Sequence, residues 1–170
     1  MTERDRIGVL FVCLGNICRS PLAKSVFLQL VREAGLADRF DVDAAGTSSY
    51  HIGDGPDART VAVARRRGLE VQHVARQLHA TDFERFDYIV VMDRESLRNT
   101  ERVRDRAGHD REIHLLRSFD PEANGVDEVP DPWFGGEEGF VEVQNTIERS
   151  CRALLEHILG EHEVQRSRSG

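Results

Sequence analysis

Cys13-Leu14-Gly15-Asn16-Ile17-Cys18-Arg19-Ser20 sets a sulfur six residues ahead of a guanidinium, with a hydroxyl directly after it. A thiolate is a strong nucleophile, and the N-terminus of a helix favours it through free N–H groups and the macrodipole. The same N-terminus attracts oxyanions. An arginine at its edge can grip two oxygens of one anion with its planar fork. Sulfur, anion cradle and guanidinium in one loop point to phosphoryl transfer to cysteine. With three cysteines, 22 arginines and nine serines in 170 residues, Cys-x5-Arg-Ser would arise by chance only about 0.02 times. Two rival phosphate loops do not fit. There is no G-x-x-x-x-G-K-[ST], and Gly15 is the loop's only glycine, which excludes the dinucleotide fingerprint.

The elements around the loop have to place these groups. The apolar run Ile7-Gly8-Val9-Leu10-Phe11-Val12 reads as a buried strand, and Pro21 sits at the start of a helical pattern over 20–34. Further strands are expected over 40–45, 87–92 and 112–116, and further helices over about 57–67, 94–106 and 137–159. Strands alternating with helices imply an α/β fold with a parallel sheet covered on both faces. Ligands of such sheets sit beyond the carboxyl ends of the strands, where Cys13 falls. Residues 119–136 lack periodicity, and long loops of that kind in compact domains are usually functional. A leaving oxygen needs a proton. This loop offers Asp120, Asp127, Glu128 and Asp131 as donors.

Composition narrows the class. A chain of 170 residues with 39% hydrophobic and 31% charged residues fits a single domain, placed at 1–160, with a polar tail over 161–170 expected to be disordered. No apolar run is long enough to cross a membrane, and residues 1–6 lack the apolar stretch of a signal peptide, so a cytoplasmic location and no membrane partner are expected. A net charge of −7 argues against broad nucleic-acid binding. It also means that a local positive site, not the global field, must draw in an anion. Three cysteines, two of them five residues apart, make no disulfide framework, and the seven histidines show no metal-ligand spacing. Cys151, at helical spacing with Ile147, Leu154, Leu155 and Ile158, reads as core.

The loop resembles that of the low-molecular-weight protein tyrosine phosphatases. Three further segments are similar to the family's: Ala44-Ala45-Gly46-Thr47-Ser48-Ser49-Tyr50-His51-Ile52-Gly53, Val91-Met92-Asp93, and Asp131-Pro132-Trp133-Phe134-Gly135. The resemblance spans roughly residues 7–158 and implies a flavodoxin-like three-layer sandwich around a four-stranded parallel sheet of order 2-1-3-4. It implies hydrolysis of phosphotyrosine through a cysteinyl-phosphate, without metal or cofactor. Cys13 would be the nucleophile and Arg19 would bind the phosphate with the loop around Leu14, Gly15, Asn16, Ile17 and Cys18. Ser20 would belong to the same phosphate-binding set and hydrogen-bond the sulfur, and Asp131 would act as acid and then base. Asp93 and His73 match positions that support the loop, and Asn16 suits a left-handed backbone. Tyr50, Trp133 and Phe134 are the expected pocket walls, although Trp133 and Phe134 depart from the family's tyrosine pair. Ile17 resembles tyrosine-directed members where phosphoarginine enzymes tend to carry threonine. Cys18 matches a partner that forms a protective disulfide with the nucleophile. The partners implied are a phosphotyrosine-containing protein, with inorganic phosphate or other oxyanions as inhibitors. Two other readings stand beside this one. An arsenate reductase of the same fold needs two further downstream cysteines, and only Cys151 follows. A non-catalytic phosphotyrosine-binding module would not need Cys13, Arg19 and Asp131 together.

Overall fold

The computed structural model describes residues 6–132 and 136–162. In chain order the elements are β1 (Ile7–Cys13), α1 (Arg19–Glu33), β2 (Phe40–Gly46), α2 (Ala58–Arg66), α3 (Asp82–Arg85), β3 (Tyr88–Val91), α4 (Arg94–Arg106), β4 (Ile113–Leu115) and α5 (Glu137–His162), with short 3-10 turns at Ala37–Arg39 and Leu116–Phe119. The four strands form one parallel sheet of order β2-β1-β3-β4. β1 is central and buried along its whole length, which is why its sequence is continuously apolar.

Side chains alternate across β1, so each face of the sheet receives its own core. Val9, Phe11 and Cys13 face the layer of α1 and α5, where Phe27 meets Phe11 and Phe40 at ring-centroid distances of 5.7 and 5.6 Å. Leu10 and Val12 face the other side with Phe83, Phe86, Ile89 and Val91. Cys13 thus ends an inward-facing series, and its sulfur is carried to the carboxyl edge of the sheet by register alone. Gly8 permits the close approach of the segment before β3. A Cβ there would lie 2.8 Å from the Arg85 carbonyl oxygen and 2.9 Å from the Phe86 Cα.

The expected strands and long helices are present with shifted ends. α3 is an addition, a single turn of four residues that is too short to carry a helical period. α5 runs three residues past the expected end. Its last turn is held from the sheet, because the Tyr88 hydroxyl donates to Glu161 at 2.6 Å and lies 2.9 Å from His162 Nε2. No helix among the described residues is long and apolar enough to cross a membrane.

Candidate active site

The loop from Cys13 to Arg19 curls around the Cys13 sulfur. Asn16 makes the turn possible with a φ of 60°, the left-handed conformation that asparagine tolerates. Its N–H then points back to Sγ at 3.3 Å. The Ser20 hydroxyl lies 2.9 Å from the same sulfur. The Asn16 side chain fixes both, donating from Nδ2 to Ser20 Oγ at 2.8 Å while its Oδ1 takes the Arg76 N–H at 2.9 Å and meets His73 Nε2 at 2.8 Å. Gly46, at the end of β2, lets the loop sit this close. A Cβ at Gly46 would fall 2.8 Å from the Leu14 carbonyl oxygen and 2.9 Å from the Asn16 Cβ. α1 opens at Arg19 without a side-chain cap, so its first N–H groups remain for an anion.

The loop residues from Cys13 to Cys18 line a cavity of about 180 Å³ together with Arg19, His51 and Asp131. Arg19 is 4% exposed. Its Nη1 donates to Asp93 at 2.7 Å and to the Val129 carbonyl at 2.9 Å, and its Nη2 stands 3.9 Å from Asp131. Burial disfavours the guanidinium's charge, but Cys13 and Asp93 beside it outweigh that effect. Asp93 in turn caps α4, accepting from the Ser96 N–H at 2.8 Å. Burial works against its charge too, yet the Ser96 N–H and Arg19 hold its carboxyl below the usual range. One carboxylate therefore starts a helix and fixes the guanidinium.

The four carboxylates of the 119–136 loop separate by environment. Asp120 is enclosed between Arg117 at 3.3 Å and Arg149 at 3.0 and 3.1 Å. Asp127 pairs with Arg94, and Glu128 accepts the Arg94 N–H at 2.8 Å. Asp131 is the one of the four that lines the cavity, and its side chain is 47% exposed.

Other expected residues are less central. Tyr50 is 84% exposed and does not line the cavity, so the contribution from that loop comes from the next residue, His51. His51 packs over Gly15 and pairs with Asp54 at 3.1 Å. Sequence reasoning missed it, although the loop that leaves β2 at the carboxyl edge has to pass the β1 loop. The Val129 carbonyl was also beyond reach, because backbone groups leave no trace in residue types. Trp133 and Phe134 lie outside the described residues. Cys18 is buried, and burial followed by nearby Asp57 pushes its thiol up to about 12. Cys151 is fully buried in α5, 3.9 Å from the Ala23 carbonyl oxygen, as expected of core.

The family model described as "Low molecular weight phosphotyrosine protein phosphatase" matches residues 8–167. The protein of that name from Pongo abelii is 43% identical over 157 residues, covering 92% of this chain and 98% of its own. The low molecular weight protein-tyrosine-phosphatase of Streptomyces coelicolor is 43% identical over 148 residues, covering 86% and 90%. Among solved structures, a protein tyrosine phosphatase from Entamoeba histolytica superposes with a TM-score of 0.84 at 36% identity, covering 93% of this chain and 99% of that one. On its cysteine loop, its sheet order and these matches along nearly its whole length, the chain belongs to the low molecular weight phosphotyrosine protein phosphatase family.

Proposed function

We propose that the phosphatase reaction runs here on Cys13, Arg19 and Asp131 in two steps. In the first, the Cys13 thiolate attacks phosphorus in line with the bond to the tyrosine oxygen. That P–O bond breaks, and the carboxylic acid of Asp131 gives its proton to the departing phenolate. The transition state spreads charge over three equatorial oxygens. N–H groups from Leu14 to Arg19 and the Arg19 guanidinium take up that charge. In the second step the Asp131 carboxylate removes a proton from water, the water oxygen bonds to phosphorus, and the S–P bond breaks. Ser20 stabilises the sulfur as its charge returns.

The observation that carries this reading is the floor of the cavity, where the Cys13 sulfur receives the Asn16 N–H at 3.3 Å and lies 2.9 Å from the Ser20 hydroxyl. Two polar groups aimed at one sulfur can share the negative charge that a nucleophile develops and regains in this reaction. The substrate is a phosphorylated protein, read here as a phosphotyrosine protein met in the cytoplasm. Inorganic phosphate and other oxyanions would compete for the loop. The region over 1–160 would act as one phosphatase domain.

Hydrolysis of para-nitrophenyl phosphate with EDTA present tests the assignment. The parent turns over, Cys13→Ser does not, and Asp131→Ala loses kcat by about 10²–10⁴-fold. An active Cys13→Ser variant would remove the cysteine mechanism, and an unimpaired Asp131→Ala variant would move the acid elsewhere.

A further inference from the structure

Lys24 is the only lysine in the chain. It lies on α1, with Nζ 3.1 Å from His73 Nδ1 and 3.6 Å from Asp43 Oδ1. The other nitrogen of that imidazole, Nε2, meets Asn16 Oδ1 at 2.8 Å. We propose that Lys24 is a positioning residue for the phosphatase site: its ammonium fixes His73 as a neutral Nε2–H donor, and the proton order so imposed runs through Asn16 and Ser20 to the Cys13 sulfur.

The donor and acceptor inventory leaves one arrangement. An ammonium has only donors, so His73 Nδ1 must present a lone pair to it. A neutral imidazole then carries its proton on Nε2 and donates to Asn16 Oδ1. The identity of that oxygen is set independently, because the Arg76 N–H at 2.9 Å requires an acceptor at the same atom. With Oδ1 occupied by two donors, the amide's Nδ2 faces Ser20 and donates to its oxygen at 2.8 Å. Ser20 then has its own proton to give to Cys13 Sγ at 2.9 Å. Five groups from three parts of the fold are ordered, and the first is a half-buried cation at the surface.

Among the described residues, three charged groups face His73. Lys24 comes from α1, Asp43 from β2 and Arg76 from the segment of His73 itself. Asp43 is ionised and holds both cations, with Arg76 Nε at 3.1 Å. A proton on Nδ1 would face the Lys24 ammonium directly. Burial first, and Lys24 second, push the His73 imidazole down to about 4. Removing the ammonium frees Nδ1 to take a proton, and the loop then gains a cation in direct hydrogen-bond contact with Asn16.

This inference rests on Cys13 as the nucleophile, but its test reads His73 directly. Imidazole nitrogen NMR of the parent should show one Nε2–H tautomer that does not titrate above pH 5. Lys24→Met should move the His73 titration up from about 4 toward the ordinary value of about 6.5. The kcat profile of that variant should gain an inflection at the same pH with KM unchanged, since Lys24 does not line the phosphate cavity. Lys24→Arg keeps a donor-only cation and should restore both readouts. Acetylating the folded parent, whose other amine is its N-terminus, makes the same change without a new chain having to fold. A His73 titration that stays put on loss of the ammonium overturns the proposal. So does one that moves while the kcat profile does not. An inactive parent would strike the Cys13 reading and leave the tautomer result intact.

Discussion

Cys13 and Cys18 sit five residues apart on one loop, line the same cavity, and meet different surroundings. Cys13 has an N–H and a hydroxyl turned toward its sulfur. Cys18 lies against Asp57 and Thr60, and burial pushes its thiol up to about 12. Peroxide should therefore react at Cys13 first, giving a sulfenic acid. The Cys18 sulfur can then displace water from it, and the resulting disulfide is reducible. Parent enzyme treated with peroxide and then with dithiothreitol should regain its activity toward para-nitrophenyl phosphate. Cys18→Ser should stay inactive, because its sulfenic acid proceeds to irreversible acids. Equal recovery of the two would show that Cys18 gives no protection. The spacing of the two cysteines was legible in the sequence, whereas the donors turned toward Cys13 and the burial of Cys18 beside Asp57 were not.

At the scale of elements, Asp93 joins a helix start to the cavity. It caps α4 through Ser96 and grips Arg19 across the sheet edge. Its two substitutions separate these roles. Asparagine still caps a helix, whereas alanine does not, and that loss typically costs about 0.5–2 kcal/mol. Asp93→Ala should therefore lower the urea midpoint with an unchanged slope, and Asp93→Asn should stay near the parent. Both should lose kcat/KM, because Arg19 then lacks its charged partner. If Asp93→Asn retained full activity, the carboxylate would be a cap alone. The helix start at residue 94 was visible from the pattern. Asp93 was read as loop support without its partner, because the pairing joins residues 74 apart in the chain.

Across the whole molecule, an acidic chain buries one guanidinium at its cavity. The chain carries a net charge of −7, while Arg19 is buried at the cavity. His73 links this site to the stability of the fold. Its folded value near 4 lies below the unfolded value of about 6.5, so the unfolded chain binds the extra proton between them. The contribution of His73 is complete above about pH 6.5 and is lost as pH falls toward 4. Urea denaturation at pH 7 and pH 5 should show the parent losing stability at the lower pH, with a smaller loss in His73→Gln. An identical loss in both would assign the acid sensitivity to other groups.

The sequence by itself determined what depends on neighbours along the chain: the apolar period that makes β1, the turn at Asn16, the helix that follows the loop from about Ser20, and the cysteine that register carries to the sheet edge. On spacing alone the proposed acid was one of four carboxylates in a loop, and only the resemblance to the family's Asp-Pro segment singled out Asp131. Tertiary structure separated them, enclosing Asp120 between two arginines and leaving Asp131 at the cavity. It also replaced exposed Tyr50 by His51 in the cavity lining and tied Lys24 to His73. The physical reason is common to all three. Burial, charge partners and hydrogen-bond direction depend on which distant segments meet, and residue types at a spacing carry no record of that meeting.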